Sequence, residues 1–526
     1  MSDGSDAIAS AGPVPVVNPW VIAIAVMAGT FMEVLDTTIV NVSLPHIAGT
    51  LSASNEEATW VLTSYLVANA IILPMTGWLA NFFGRKRLLI SSVVGFTVSS
   101  FLCGLAPSLP FLIFFRVVQG ATGGGLQPLS QAILLESFPP RKRGMAMAFW
   151  GLGIVVAPML GPVIGGWLTD NTNWRWVFYV NVPIGLFAVT MIQLFVFDPS
   201  YIKRRAGGID FWGMGLLVVG IGALQIMLDK GQQEDWFSSR LILVLAVLAA
   251  AAIVALVVRE LVIEHPIVDL RIFKNRTYAT GTFLITAMGF VLFGSTVLLP
   301  LMMQTLLGYS AFDAGMANLP RGLASFVMMP VVGILLMRIE PRKILVLGLV
   351  LVSSSLLLVS RLSLAAGPHD FLVPLFLQGM AMGMIFIPLT TITNDTVPKE
   401  QMGNATSLFN LMRNLGGSFG IAIVTTILAR HAQVHTALLG AHVDPYDPAT
   451  ARRMEAATSA FVAQGIDRWT ARRAALGVVW GEVQRQAAFL SYRDAFVFLA
   501  ILFLSMVVLV PLMRRPTHLR GGGAAH

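Results

Sequence analysis

Glu33 and Asp36 lie in the run Glu33-Val34-Leu35-Asp36-Thr37-Thr38-Ile39-Val40-Asn41-Val42-Ser43-Leu44-Pro45, inside a long apolar stretch. A carboxylate at membrane depth is costly and by default marks an ion or substrate path. Asp36 is therefore read as a proton-carrying group. Glu33 precedes it by three residues, and on a helix such positions are neighbours. The two carboxylates could act as one coupled site; the plainer reading has Glu33 facing a water-filled cavity or the membrane interface. Arg116 stands in another apolar stretch, where a guanidinium needs a carboxylate, carbonyls or water. Its coupling role is weighed against that of a structural hydrogen-bond anchor. Further polar groups in apolar surroundings, read as substrate-binding candidates, are Asn41, Asn410 and Arg413, the last in Asn410-Leu411-Met412-Arg413-Asn414-Leu415-Gly416-Gly417. Arg321 is read as nearer a water interface. Most of the 25 Met and 32 Phe pack or face lipid. Met288, Phe293, Met384 and Phe386 are candidates to line an adaptable substrate pocket.

Membrane-spanning helices are the elements that must carry these groups. The 526 residues are 56% hydrophobic and 12% charged, with mean hydropathy +0.76; a soluble domain carries about 25% charged residues. An all-α membrane protein follows. The net charge of +8 is spread in short basic clusters between apolar runs, which fits membrane topology better than nucleic acid. Cys103 is the only cysteine, so no disulfide framework exists. No metal-ligand cluster stands out among the eight His and one Cys, and no phosphate-binding G-x-x-x-x-G-K-[ST] loop occurs. ATP is thereby an unexpected energy source, and no cofactor beyond a coupling proton is expected. The start of the chain is acidic and lacks the basic stretch of a cleaved signal peptide.

Fourteen spans are read: near 20–41, 58–79, 87–106, 111–135, 145–168 and 175–197, then 209–229 and 241–259, then 279–302, 314–337, 343–362, 371–394, 405–430 and 493–513. The division is a tail at 1–19, a six-helix bundle at 20–200, two inserted helices at 201–262, a second six-helix bundle at 263–513, and a tail at 514–526. With cytoplasmic termini, the cytoplasmic segments hold 20 of the 35 Lys and Arg and the short opposite loops hold four. That asymmetry sets the orientation.

The two bundles echo each other at an offset of 259. Gln119-Gly120 matches Gln378-Gly379, Gly124 matches Gly383, Pro139 matches Pro398, Gly144 matches Gly403, and Ala146 matches Ala405. The offset covers eight spans, so the repeats are parallel, and substrate sites in such folds lie near the midplane between the halves. Arg116 has Leu375 as its equivalent, which favours function over framework.

Three motifs carry a family resemblance. Pro158-Met159-Leu160-Gly161-Pro162-Val163-Ile164-Gly165-Gly166 resembles the antiporter signature ending in G-P-x-x-G-G, with Ala148 and Ala157 where the fuller pattern has glycine. Gly77-Trp78-Leu79-Ala80-Asn81-Phe82-Phe83-Gly84-Arg85-Lys86-Arg87 resembles the cytoplasmic motif G-x-L-A-D-R-x-G-R-K, with Asn81 and Phe82 replacing its acid and first arginine. Arg116-Val117-Val118-Gln119-Gly120 resembles R-x-x-Q-G. Over nearly its whole length the chain resembles the 14-helix drug:proton antiporter family of the major facilitator superfamily, EmrB/QacA type, and more the EmrB side. The resemblance implies a major facilitator fold of 6+2+6 helices. It implies that Asp36 and Arg116 couple protons to transport. The glycines and prolines of the fifth span would seal a leak path and favour export. The relay through Gly77, Gly84, Arg85 and Lys86 would be weakened by Asn81 and Phe82.

The expected function is proton-driven export of hydrophobic, amphipathic drug-like compounds through an inner membrane. Export of one physiological solute, such as a fatty acid or siderophore, is the alternative, and a non-transporting receptor or scaffold is a third. The segment 431–490 is read as a long translocated loop with some helical character. The resemblance gives it a periplasmic membrane-fusion adaptor as partner and, through that, an outer-membrane channel. Membrane lipids are the remaining partners; nucleic acid is not one.

Overall fold

The structure is a computed structural model that describes residues 18–198, 210–264, 266–444 and 446–513. The C-terminal tail, nearly all of the N-terminal tail and the basic run Lys203-Arg204-Arg205 lie outside the described residues. Within them every regular element is helical. The helices are α1 (Pro19–Thr50), α2 (Asn55–Phe83), α3 (Arg85–Leu105), α4 (Leu109–Gly123), α5 (Leu126–Ser137), α6 (Arg143–Asn171), α7 (Trp176–Tyr179), α8 (Asn181–Phe195), α9 (Phe211–Lys230) and α10 (Arg240–Val262). They continue as α11 (Arg276–Thr305), α12 (Ala311–Leu335), α13 (Pro341–Ser360), α14 (Leu372–Asp395), α15 (Met402–Gly440), α16 (Pro448–Ala463) and α17 (Arg468–Met506). Fourteen stretches among the described residues are long and apolar enough to cross a membrane, as expected. One is α4 continued by α5 through Gly124-Gly125; another is α7 continued by α8.

The chain forms two compact units. The first comprises Met1–Met214, Arg259–Leu270 and Val397–Leu408; the second comprises Gly215–Val258, Arg271–Thr396 and Phe409–His526. The inserted pair α9 and α10 thus belongs mostly to the second unit. There Gln225 on α9 donates to the Ser418 hydroxyl of α15 at 2.9 Å, and the Trp236 indole donates to Thr426 at 2.9 Å.

Both units repeat one device, a glycine pressed against a neighbouring backbone. A methyl group on Gly120 of α4 would stand 2.3 Å from the Tyr65 carbonyl oxygen of α2. Its counterpart Gly379 on α14 would meet the Arg321 carbonyl oxygen of α12 at 2.0 Å. The next pair agrees: Gly124 faces the backbone of Asn69, and Gly383 faces that of Met329. Without a hydrophobic force between helices in lipid, such close approach is what packing rests on. The loops agree as well. Pro139 and Pro398 each precede a short 3₁₀ turn, Pro140–Lys142 and Lys399–Gln401, that leads into a long helix. The expected duplication is thus visible in the packing.

The fifth-span motif sits on α6, which runs unbroken past Pro158 and Pro162. Its glycines divide by role. A methyl on Gly161 would lie 2.1 Å from the Thr38 hydroxyl and 3.1 Å from the Ile39 nitrogen; one on Gly165 would lie 2.8 Å from the Ile39 carbonyl oxygen. Gly166 has nothing within 4 Å. Half of the motif thus packs α6 against α1 two residues beyond Asp36.

The stretch 431–490, read as a long loop with some helical character, is helical over most of its length. α15 continues unbroken to Gly440, α16 follows, and α17 starts at Arg468, far before the last apolar stretch. The sequence there is Ala- and Arg-rich, a helix-forming composition, and each new helix has its own cap. The Asp447 carboxylate accepts from the Thr450 N–H at 3.0 Å, and Asp467 accepts from the Trp469 and Thr470 N–H groups at 3.1 Å. The Thr450 backbone N–H, first of several donors, holds the Asp447 carboxyl below its usual range, and the Thr470 side chain does the same for Asp467. Gly465 after α16 has φ +88°, the left-handed geometry that glycine adopts at helix ends. The 468–490 part of α17 alone extends roughly 35 Å at 1.5 Å per residue.

The two kinds of motif glycine are separable by experiment. Gly161→Ala overpacks the α1–α6 contact and is expected to cost about 1–3 kcal/mol, read as a lowered midpoint of thermal unfolding in detergent. Gly166→Ala is expected to melt with the parent. Equal midpoints for the two would contradict the packing described.

Candidate functional site

Asp36 is wholly buried in the first unit, at 0% exposure, and so is Arg116. Arg116 Nη1 donates to Asp36 Oδ2 at 2.5 Å. Gln119, one turn on from Arg116, donates to Asp36 Oδ1 at 3.0 Å and accepts from Arg116 Nη1 at 2.8 Å. Asn181, at the start of α8, donates to Asp36 Oδ1 at 2.8 Å and to the Ser100 hydroxyl at 2.9 Å. Ser100 donates onward to the Phe178 carbonyl oxygen at 2.9 Å. Arg116 Nε donates to the Val61 carbonyl oxygen at 3.0 Å, and the guanidinium lies 4.1 Å from the Tyr65 ring centroid. Its Nη2 has no partner. The carboxylate is thus held by a cation and two amides from α4 and α8, and the cation by α1, α2 and its own helix. A buried ion pair needs such added hydrogen bonds, because desolvation otherwise exceeds the Coulomb gain.

Glu33 is buried beside this network at 2% exposure, which corrects the reading that it faces a water-filled cavity or the membrane interface. It accepts from Asn69 Nδ2 at 3.0 Å and from Gln127 Nε2 at 2.7 Å. The sequence reading found Asp36, Glu33, Arg116 and Gln119 but missed Asn181, Asn69, Gln127 and Ser100. Amides and hydroxyls are ordinary in apolar helices, so their type alone gave no signal. Gly120 does its work next to the site, seating α4 on Tyr65.

The cytoplasmic-motif residues form a second cluster. Gly84 links α2 to α3 with φ +90°, which explains the glycine. Gly77 packs against the backbone of Gly403 and Asn404, where a methyl would come within 2.7 Å. Arg85 pairs with Glu136 of α5, both nearly buried. The Lys86 N–H donates to Asp198 at 2.8 Å and its ammonium to the Gln193 carbonyl oxygen at 2.7 Å. Phe82 stacks on Trp78 at 5.3 Å. Asn81 and Phe82 remove charges from the motif without leaving Arg85 unpaired.

The candidate pocket residues are not alike. Met288, Met384, Phe386, Asn410 and Arg413 are buried, whereas Asn41 and Phe293 are exposed. Phe293 lies against Gly417, Met384 against Gly348, and the Arg413 backbone against Gly289. These three contacts are helix packing. No metal-ligand cluster stands out in the sequence, but the folded chain brings His431, His435 and Asp494 within 4.8 Å of one another. Asp494 is distant in sequence, so spacing could not reveal it.

The sequence profile of the Major Facilitator Superfamily matches residues 26–421. The chain belongs to the major facilitator superfamily. It is 43% identical over 432 residues to the multidrug export protein EmrB of Haemophilus influenzae, covering 81% of this chain and 84% of that protein. It is 39% identical over 506 residues to the EmrB of Escherichia coli K12, covering 96% and 97%. The fatty acid resistance protein FarB of Neisseria gonorrhoeae is 38% identical over 496 residues, covering 94% and 96%. Solved structures share the fold: the human organic anion transporter MFSD10 at TM-score 0.60 and 13% identity, over 95% of this chain and 100% of that one, and the proton:xylose symporter XylE at 0.58 and 15%, over 93% and 96%. The protein is a membrane-spanning transporter of the EmrB/QacA type, not an enzyme.

In this transporter Asp36→Asn leaves Arg116 buried beside a neutral amide. Breaking a buried pair from one side costs about 3–5 kcal/mol, so the variant is expected to unfold well below the parent in detergent. Adding Arg116→Gln removes the stranded charge and is expected to restore more than half of the loss. Were Asp36→Asn to melt with the parent, the ion pair would not be the dominant contact here.

Proposed function

We propose that this transporter exports hydrophobic, amphipathic compounds in exchange for protons, with Asp36 as the proton-binding group. The observation that carries the reading is the fully buried Asp36 carboxylate, shared by Arg116, Gln119 and Asn181. The substrate class is supported by 39–43% identity to two multidrug export proteins over most of the chain. Protonation of Asp36 removes the charge that faces Arg116. The guanidinium then lacks its counter-ion, and its helix is biased toward another arrangement. Each proton entering down a potential of 100 mV supplies about 2.3 kcal/mol, roughly a 50-fold gradient per charge at about 1.4 kcal/mol per tenfold.

The reading places the protein in an inner membrane with both termini cytoplasmic, on the basic-residue asymmetry of its loops. The extension from α15 through α16 to α17 then faces the periplasm. A membrane-fusion adaptor is the proposed partner there, relaying substrate to an outer-membrane channel. Supporting it are the extension's length and exposed arginines; Arg453 and Arg468 pair with Glu482 and Glu455 at its surface, while Arg452, Arg472 and Arg473 are exposed.

A second reading, export of one acidic amphiphile such as a fatty acid, is favoured by Arg321. Its guanidinium lies ten residues into α12 and donates to the Thr296 hydroxyl at 3.0 Å, without an ion pair among the described residues. A cation so placed suits a carboxylate headgroup.

Proteoliposomes with an imposed pH gradient test both. Asp36→Asn, normalised to folded protein, is expected to abolish gradient-driven dye transport; Glu33→Gln should reduce it less, and Arg116→Lys should impair it despite the kept charge, because lysine lacks the planar fork of donors. Wild-type turnover in Asp36→Asn would sink the proton-site assignment. Selective loss of fatty-acid transport in Arg321→Gln, with cationic dye unaffected, would favour the second reading.

A further inference from the structure

We infer that His431, His435 and Asp494 form a transition-metal site that ties α15 to α17 at the root of the extension. His431 and His435 lie one turn apart on α15, so their imidazoles project from one face. Asp494 comes from α17. His431 Nδ1 and His435 Nε2 stand 2.7 and 2.8 Å from the same carboxylate oxygen, Asp494 Oδ2. The three ligand atoms lie within 4.8 Å of one another.

The donor set decides the class of ion. Two imidazole nitrogens and one carboxylate oxygen suit Zn²⁺, Co²⁺ or Ni²⁺; Mg²⁺ and Ca²⁺ prefer all-oxygen sites. With bonds of about 2.0–2.2 Å, ligands of a tetrahedral zinc stand roughly 3.3 Å apart. The two nitrogen–oxygen separations need only open by about half an ångström, within the reach of side-chain rotation. His435 is 22% exposed, Asp494 36% and His431 47%, so an ion can enter from solvent. Three protein ligands leave a fourth position for water. Bound metal would replace the imidazole–carboxylate hydrogen bonds and close residues 436–493 into a loop. Asp494 begins the last apolar stretch, and the three ligands share no residue with the Asp36 network. The inference does not depend on the transported compound.

The test uses the full-length, untagged protein in detergent, titrated with zinc chloride by calorimetry and with cobalt chloride by visible absorption. One saturable ion per chain is expected, with a rise in thermal midpoint that a chelator reverses. His435→Gln and Asp494→Asn should each weaken binding by more than about tenfold, and His431→Gln likewise. Should any variant misfold, the other two and the cobalt spectrum of the parent still decide. A tetrahedral cobalt spectrum lost in the variants supports the site. No binding up to millimolar zinc would overturn it, leaving a histidine–carboxylate clamp. Binding that survives all three substitutions would place the metal elsewhere and overturn it equally.

Discussion

A guanidinium and a carboxylate removed from water together constrain the rest of the first unit. Neither Asp36 nor Arg116 is satisfied by its own helix. The carboxylate takes donors from Arg116, Gln119 and Asn181, and the guanidinium also needs the Val61 carbonyl and the Tyr65 ring. These groups come from α1, α2, α4 and α8, so the four helices must pass within side-chain reach at one depth. Glycine supplies that closeness. Gly120 seats α4 on the Tyr65 backbone, and Gly161 and Gly165 seat α6 on Thr38 and Ile39 beside Asp36. Buried ion pairs of this kind add little net stability.

The second unit shows the same framework with the charge removed. At the common offset of 259, Gln119 corresponds to Gln378, Asp36 to Ser295 and Arg116 to Leu375. Gln378 reaches Ser295 at 3.5 Å, where Gln119 reaches Asp36 at 3.0 Å. The two polar positions still face each other, but the contact has become a weak neutral one. Gly379 and Gly383 keep the packing of their counterparts. Packing and the buried ion pair are therefore separable in this fold: the glycines belong to both repeats and the ion pair to one.

The fourteen spans, the repeat and the four central site residues were legible because each breaks a strong rule. Charges in apolar runs stand out, as do glycines at matched offsets and basic clusters between hydrophobic stretches. The groups that complete the site were not legible. Asn181, Asn69, Gln127 and Ser100 break no rule in sequence, and only the fold aims them at a carboxylate. The helical character of 431–490 was legible in its Ala- and Arg-rich composition, but its helix boundaries were not. Its length pointed to a loop, yet Asp447 and Asp467 are ordinary N-caps that restart helices, a local signal outweighed by the global one. The His431–Asp494 approach depends on α15 and α17 lying side by side, which no local spacing encodes.

Under the proposed coupling, the magnitudes explain why Arg116 is needed beside Asp36. A hydrogen bond to a charged group contributes about 1.5–3 kcal/mol. A proton driven by 100 mV carries about 2.3 kcal/mol. Neutralising Asp36 while the cation stays in place strands a buried charge at about 3–5 kcal/mol, more than one proton supplies from that voltage. Arg116 is fixed from two other sides, by the Val61 carbonyl and the Tyr65 face, both on α2. It cannot follow a departing charge without moving against α2, and Gly120 and Gly124 pack α4 against that same helix. A lone carboxylate in a flexible cavity would take up a proton with no mechanical consequence. Held by a cation that is itself held by a neighbouring helix, its protonation becomes a force between α4 and α2.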